Sequence, residues 1–197
     1  REEEAAAKEK AMQEEAAAVA AAGEDDDMMD DDERREDRLN ADTRKLKFSD
    51  RFRLVQKNKD EGSELFKDGN YLHSAKRYKD ALAHAGKLTH DLSPEQQDQT
   101  KRIKIDLHLN MALCWTKLDN IEQSLRSCDE ALKLDSEHPK ALYRRAYAYE
   151  NLKRYDEARE DVKNALQVAP NAKAILQLQK RIDAQIARQK KKEKAMW

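Results

Sequence analysis

From about Lys47 onward, large apolar residues are separated by polar ones at intervals that fit a helix face. Phe66, Tyr71, Tyr78 and Leu82 sit among charged neighbours at such spacings. Near the end, Ile175, Leu176, Leu178, Ile182 and Ile186 draw one stripe on an otherwise basic segment. The string "KDGNY" at 67–71 predicts a turn between two helices, because Gly and Asn tolerate positive φ. Ser93-Pro94 predicts a helix break or restart. Residues 1–22 are rich in Ala and Glu and favour helix, but they lack a stripe of large residues to bury.

The stretches "YLHSAKRYKDALAHA" from Tyr71, "IEQSLRSCDEALKLD" from Ile121 and "YDEAREDVKNALQVA" from Tyr155 share a pattern. Each begins with an aromatic or aliphatic residue, has a small residue three later, and has Ala-Leu at ten and eleven. The second and third copies are 34 residues apart and the first two are 50 apart, so 16 extra residues fall around 87–102. The pattern predicts three helix–turn–helix repeats at 55–88, 105–138 and 139–172, the first with an extended second helix. A capping helix follows at 173–197. Small residues (Ala112, Ala131, Ala146, Ala158 and Ala165) stand where helices must approach closely, with Trp115, Leu132, Tyr143 and Leu166 filling the gaps.

Composition adds an asymmetry. Of 197 residues 40% are charged, yet the formal net charge is only -1. Residues 1–50 hold 18 acids against 9 bases, which leaves the rest of the chain basic. Ten acids among the fifteen residues of "GEDDDMMDDDERRED" at 23–37 predict a solvated linker, or else a docking segment for a basic partner. The expected organisation is an Ala/Glu-rich helical extension at 1–22, an acidic linker at 23–46, the repeat domain at 47–172 and the capping helix with a basic tail at 173–197. The fold class is all-α.

Several function classes fall away. No apolar run is long enough for a membrane span. Cys114 and Cys128 fit no metal spacing and suggest a reducing compartment, cytoplasm or nucleus. His73, His84, His90, His108 and His138 show no ligand spacing; His108 lies two residues before Asn110, where it could edge a groove, and Tyr147 could reach the same face. No nucleophile–base pair, phosphate loop or ligand cluster supports catalysis or a cofactor. Nucleic acid is disfavoured by the absence of exposed aromatics interleaved with the basic residues. The chain opens at Arg1, so an isomerase domain upstream is one alternative and a scaffold role in a larger assembly another.

One cluster resists the bland reading of a solvated face. Lys140 and Arg144 stand one turn apart with no acid between them, a like-charge spacing that costs a helix about 0.2–0.5 kcal/mol. Asn110 and Arg144 occupy the same repeat position, two residues before Ala112 and Ala146. The 34-residue pattern, with Pro170 where the third copy ends, resembles the tetratricopeptide repeat. Lys59 three before Gly62, Asn110 in "LNMALC", and Lys140-x-x-x-Arg144 resemble the carboxylate clamp of chaperone-binding repeats of this type. Ser63 stands where that motif often has Asn, as in immunophilin relatives, and the tail "ARQKKKEKAMW" resembles the end of large cyclophilins and FK-binding proteins.

The resemblance implies a co-chaperone adaptor with a groove formed by the first helix of each repeat. Lys59, Ser63, Asn110, Lys140 and Arg144 would hold the acidic C-terminal peptide, ending in Glu-Glu-Val-Asp, of heat-shock chaperones of the 90 or 70 class. The basic amphipathic segment 180–197, with Ile182, Ile186 and Trp197, adds an expectation of calmodulin binding.

Overall fold

The computed structural model describes residues 47–88 and 92–196. The expectations for 1–22 and 23–37, and for Trp197, therefore lie outside the described residues. Among the described residues seven helices follow one another: α1 Phe48–Lys67, α2 Tyr71–Gly86, α3 Pro94–Lys117, α4 Ile121–Leu134, α5 Pro139–Asn151, α6 Tyr155–Val168 and α7 Lys173–Met196. Each packs on the next, and α5 also touches α3 and α7. The first helices of successive pairs thus stand side by side, with the second helices behind them. Among the described residues there is no helix long and apolar enough to cross a membrane and no group of three residues able to hold a metal ion.

The turns repeat as faithfully as the helices. Among the described residues Gly69 (φ 81°), Asp119 (φ 58°) and Lys153 (φ 60°) are the three with positive φ, at spacings of 50 and 34. Each sits in the turn between the two helices of a pair. The residue after each caps the second helix where it can: Asn70 accepts from the His73 N–H and Asn120 from the Gln123 N–H, while Arg154 in the third pair makes no such bond.

The expectation of an extended second helix in the first repeat is corrected. The extension belongs to the following helix: α2 has 16 residues, and α3 has 24. The reason is Ser93-Pro94. Ser93 forms a capping box with Gln96, and Pro94 at the first helical position supplies a pre-set φ without needing an N–H partner. The break therefore acts as a start signal for one long helix. α1 likewise begins at Phe48, earlier than the repeat pattern alone required.

Close approach between paired helices is made at small residues. The Ser74 hydroxyl of α2 donates to the Gly62 carbonyl of α1 at 2.7 Å, and Ser124 of α4 donates to Ala112 of α3 at 2.9 Å. The third copy of this position is Ala158, fully buried without a hydroxyl. At Gly62 an added Cβ would come within 2.8 Å of the Tyr78 ring, so only glycine lets Tyr78 lie flat against α1.

Two apolar clusters meet on α3. Ile103, Leu107 and Cys114 pack with Val55, Ala75, Tyr78 and Ala81, whereas Ile105 and Leu109 pack with Leu142, Val162, Ile175, Leu178 and Ile182. Burial pushes the Cys128 thiol up to about 12 and raises that of Cys114, which also lies 3.3 Å from the Ser74 hydroxyl. Both stay protonated at neutral pH and are poor nucleophiles. In the native protein iodoacetamide at pH 7.5 should label neither thiol appreciably, and denaturant should expose both. Rapid native labelling of Cys128 would show that the α3–α4 core opens readily.

Candidate functional site

The face made by α1, α3 and α5 carries the residues singled out from the sequence. Lys59 on α1 reaches across to Asp106 on α3, with 3.8 Å between Nζ and Oδ2. Arg144 on α5 donates from its guanidinium to the Leu109 carbonyl of α3, next to Asn110. These two contacts tie the first helices of all three pairs together. Asn110 is half-buried, and its amide makes no hydrogen bond among the described residues. Lys140, one turn before Arg144, is exposed and has no ion pair there.

Arg144 is the informative member. It is half-buried, and desolvation holds its pKa below the ordinary arginine value. It forms no salt bridge with any described residue, and one carbonyl is its hydrogen-bond partner. A guanidinium carries five N–H donors in a rigid fork, so most of this one's capacity is unspent. Like Lys140 and the Asn110 amide, it offers N–H donors to an anion.

Its neighbour in sequence behaves oppositely. Arg145 points about 100° away around α5 and is paired with acids on both flanking helices. It makes two hydrogen bonds to Asp161 of α6 at 2.7 and 2.8 Å and one to Asp129 of α4 at 2.8 Å. These bonds raise its pKa well above the ordinary arginine range. A cleft of about 660 Å³ lies on that side, lined by Arg126, Asp129, Glu130, Lys133 and Arg145. Two of its three cations, Arg145 and Lys133, are paired with Asp129 and Glu130 on its own wall, so among the described residues only Arg126 is left there for an incoming anion.

Three other expectations change on contact with the structure. The Ser63 hydroxyl donates to the Lys59 carbonyl at 2.8 Å and lies 3.1 Å from the Tyr78 hydroxyl. Its one proton is committed to its own helix, so Ser63 lines the site without a free donor. His108 does not edge the groove: two residues from Asn110, it sits on the other side of α3, where burial lowers its pKa against the opposing field of Glu130 on α4. Tyr147 is covered by Arg181 of α7, whose guanidinium stands 5.6 Å from the ring centroid and pairs with Glu150.

Sequence reading passed over Asp106. The signal was present, because Asp106 precedes Lys140 by 34 residues and so holds the same place in its repeat.

Comparison with known proteins agrees with the repeat fold. The tetratricopeptide-repeat family profile matches residues 139–172, the span of α5 and α6 with their flanking turns. Peptidyl-prolyl cis-trans isomerase FKBP4 of Homo sapiens is 34% identical over 137 residues, 68% of this chain and 30% of the relative. The Hsp70/Hsp90 co-chaperone cns1 of Schizosaccharomyces pombe is 40% identical over 114 residues, 58% of this chain and 30% of the relative. The chain thus spans about a third of the length of these curated relatives.

Among solved structures, the C-terminal TPR-containing domain of a Plasmodium falciparum FK506-binding protein superposes with a TM-score of 0.66 at 24% identity. It covers 75% of this chain and 97% of that one. The myosin chaperone UNC-45 of C. elegans, in complex with a Hsp90 peptide, superposes at 0.55 with 32% identity over 66% of this chain and 13% of that one. The expectation of calmodulin binding by 180–197 gains no support from these similarities.

Proposed function

We propose, for a chain whose described part is a tetratricopeptide-repeat domain, that the α1–α3–α5 face is a carboxylate clamp. It captures the acidic C-terminal peptide of a heat-shock chaperone of the 90 or 70 class. The observation that carries this reading is Arg144: a half-buried guanidinium with unspent donors and no carboxylate partner among the described residues, one turn from an exposed Lys140. A desolvated cation left without a counter-ion is unfavourable unless something supplies one. Charge-assisted hydrogen bonds to a carboxylate are roughly twice as strong as neutral ones.

In the proposed complex Arg144 and Lys140 hold one carboxylate of the terminal residue, and Lys59 and the Asn110 amide hold the other. Three cations and an amide on three helices select a chain terminus, where an α-carboxylate and a side-chain carboxylate stand close together. Relatives named as Hsp70/Hsp90 co-chaperones and a similar structure holding a Hsp90 peptide support the same partner class. The chain then works as an adaptor through binding alone. An isomerase domain in the full-length protein, as FKBP4 relatives suggest by name, would make this the regulatory half.

Calorimetric titration with a Glu-Glu-Val-Asp peptide tests the reading. The free acid should bind and weaken with added salt, because the attraction is between charges partly open to solvent. Amidating the C-terminus should weaken binding about tenfold or more, one carboxylate being lost from a paired site. Equal affinity of the amide and the acid would exclude a terminal-carboxylate clamp.

A further inference from the structure

We propose that Asp106 is the clamp's internal counter-ion, a specificity-determining residue that neutralises Lys59 in the free protein and is exchanged for the ligand's carboxylate on binding. The inference rests on the clamp reading of the same face.

Asp106 and Asn110 are one turn apart on α3, as Lys140 and Arg144 are on α5, and the two pairs are related by the 34-residue repeat. The position that carries a cation in the third repeat therefore carries an anion in the second, on the same face. Its carboxylate lies 3.8 Å from Lys59 Nζ, at ion-pair distance but beyond the roughly 2.7–2.9 Å of a charge-assisted hydrogen bond. Asp106 is 55% exposed and Lys59 25%, so the acid is the partner already facing solvent and the one free to swing away. Asp106 also contributes to the field at Arg144, so it lies within electrostatic reach of that cation as well as of Lys59.

The contrast with Arg145 separates a replaceable ion pair from a structural one. Asp161 is 5% exposed and holds Arg145 through hydrogen bonds of 2.7 and 2.8 Å. Nothing from solvent can take its place without unpacking α6 from α5. Asp106 has no such seat. Its charge suits a loosely held stand-in for the ligand, giving Lys59 a partner until a peptide arrives.

Selectivity follows from this exchange. A ligand with one carboxylate that replaces Asp106 at Lys59 gains little, since one ion pair is traded for another. A ligand with paired carboxylates makes the same trade and also satisfies Lys140 and Arg144. Asp106 therefore raises the threshold of negative charge that a terminus must bring.

The test is calorimetric titration of the intact chain with free-acid and amidated Glu-Glu-Val-Asp peptides. Asp106→Asn should bind the free acid about three- to tenfold tighter at low salt, the size expected for removing one partly screened ion-pair competitor. The amide should gain as well, since it makes the same exchange at Lys59. In a Lys59→Met background the same substitution should give less than half that gain, because the cation it unmasks is gone.

Asp98→Asn is the control for net charge, being on the same helix but paired with Arg102, and should leave affinity unchanged. Unchanged or weaker binding by Asp106→Asn, beside normal binding by the wild type, would overturn the counter-ion role and leave the clamp standing. An equal gain in Asp98→Asn would overturn it too, by showing a general charge effect. If no variant and no wild-type protein binds the free acid, the clamp reading falls and this inference with it.

Discussion

Arg144→Ala should weaken binding of an acid-terminated peptide by at least about 2 kcal/mol, roughly thirtyfold, because it leaves a ligand carboxylate partly desolvated and unpaired. Two effects on stability oppose each other. Removing the positive charge relieves repulsion with Lys140, worth about 0.2–0.5 kcal/mol. It also removes the guanidinium donation to the Leu109 carbonyl that joins α5 to α3. A hydrogen bond from a charged group contributes about 1.5–3 kcal/mol. The Leu109 carbonyl lies inside a helix and keeps its backbone partner, so the lower end applies, and the net is a loss of about 1 kcal/mol.

A small fall in stability is therefore expected. Circular dichroism should show a folded protein with a slightly lower melting temperature, and calorimetry should show the binding loss. Arg144→Lys keeps the charge without the planar fork and should fall between. Lys140→Ala, at an exposed and unpaired position, should cost about 1 kcal/mol of affinity and leave stability unchanged. Normal binding by Arg144→Ala would remove the residue on which the proposed function depends.

The largest stability effect is expected one residue further on. Arg145→Ala strands the Asp161 carboxylate, which is 5% exposed and loses both hydrogen bonds to the guanidinium. Breaking a buried pair from one side costs about 3–5 kcal/mol. Arg145 itself is a quarter exposed, so about 3 kcal/mol is expected, a fall of roughly 10 °C in Tm for a domain of this size. Asp129→Ala should do far less, because that carboxylate is 45% exposed and Asp161 still holds the arginine. The double substitution Arg145→Met with Asp161→Leu should recover part of the loss, since no unpaired charge is then left buried. Peptide affinity, corrected for the folded fraction, should stay near wild type. A Tm unchanged in Arg145→Ala would mean that water reaches Asp161 and that the α4–α5–α6 network contributes little.

These two neighbouring arginines show how far the sequence reaches. The string "LYRRAY" marks both as helical and basic, and the 34-residue period singles out Arg144 as the equivalent of Asn110. Periodicity assigns each residue a direction around its own helix. It carries no information about what stands opposite. That Arg145 meets Asp161 and Asp129, 16 residues away on either side, depends on how α4, α5 and α6 cross.

The repeat copies, the turn at 67–71 and the basic cluster at 140–144 were legible because each is written in local spacing. Helical period, positive-φ residues and capping side chains act within a few residues of themselves, so the chain alone determines them. Contacts between helices decided the rest. The extra residues before the second repeat lengthened α3 rather than α2, because the Ser93–Gln96 capping box started a helix there. Ser63 lost its free donor to a carbonyl one turn away and a tyrosine on α2. His108 came to face Glu130 on α4, and Arg181 of α7 came to lie over the Tyr147 ring. Asp106 became the partner of Lys59 although 47 residues separate them. A side chain's charge and reach belong to its sequence position, but its partner is set by close packing between elements, where a shift of an ångström or two changes which groups meet.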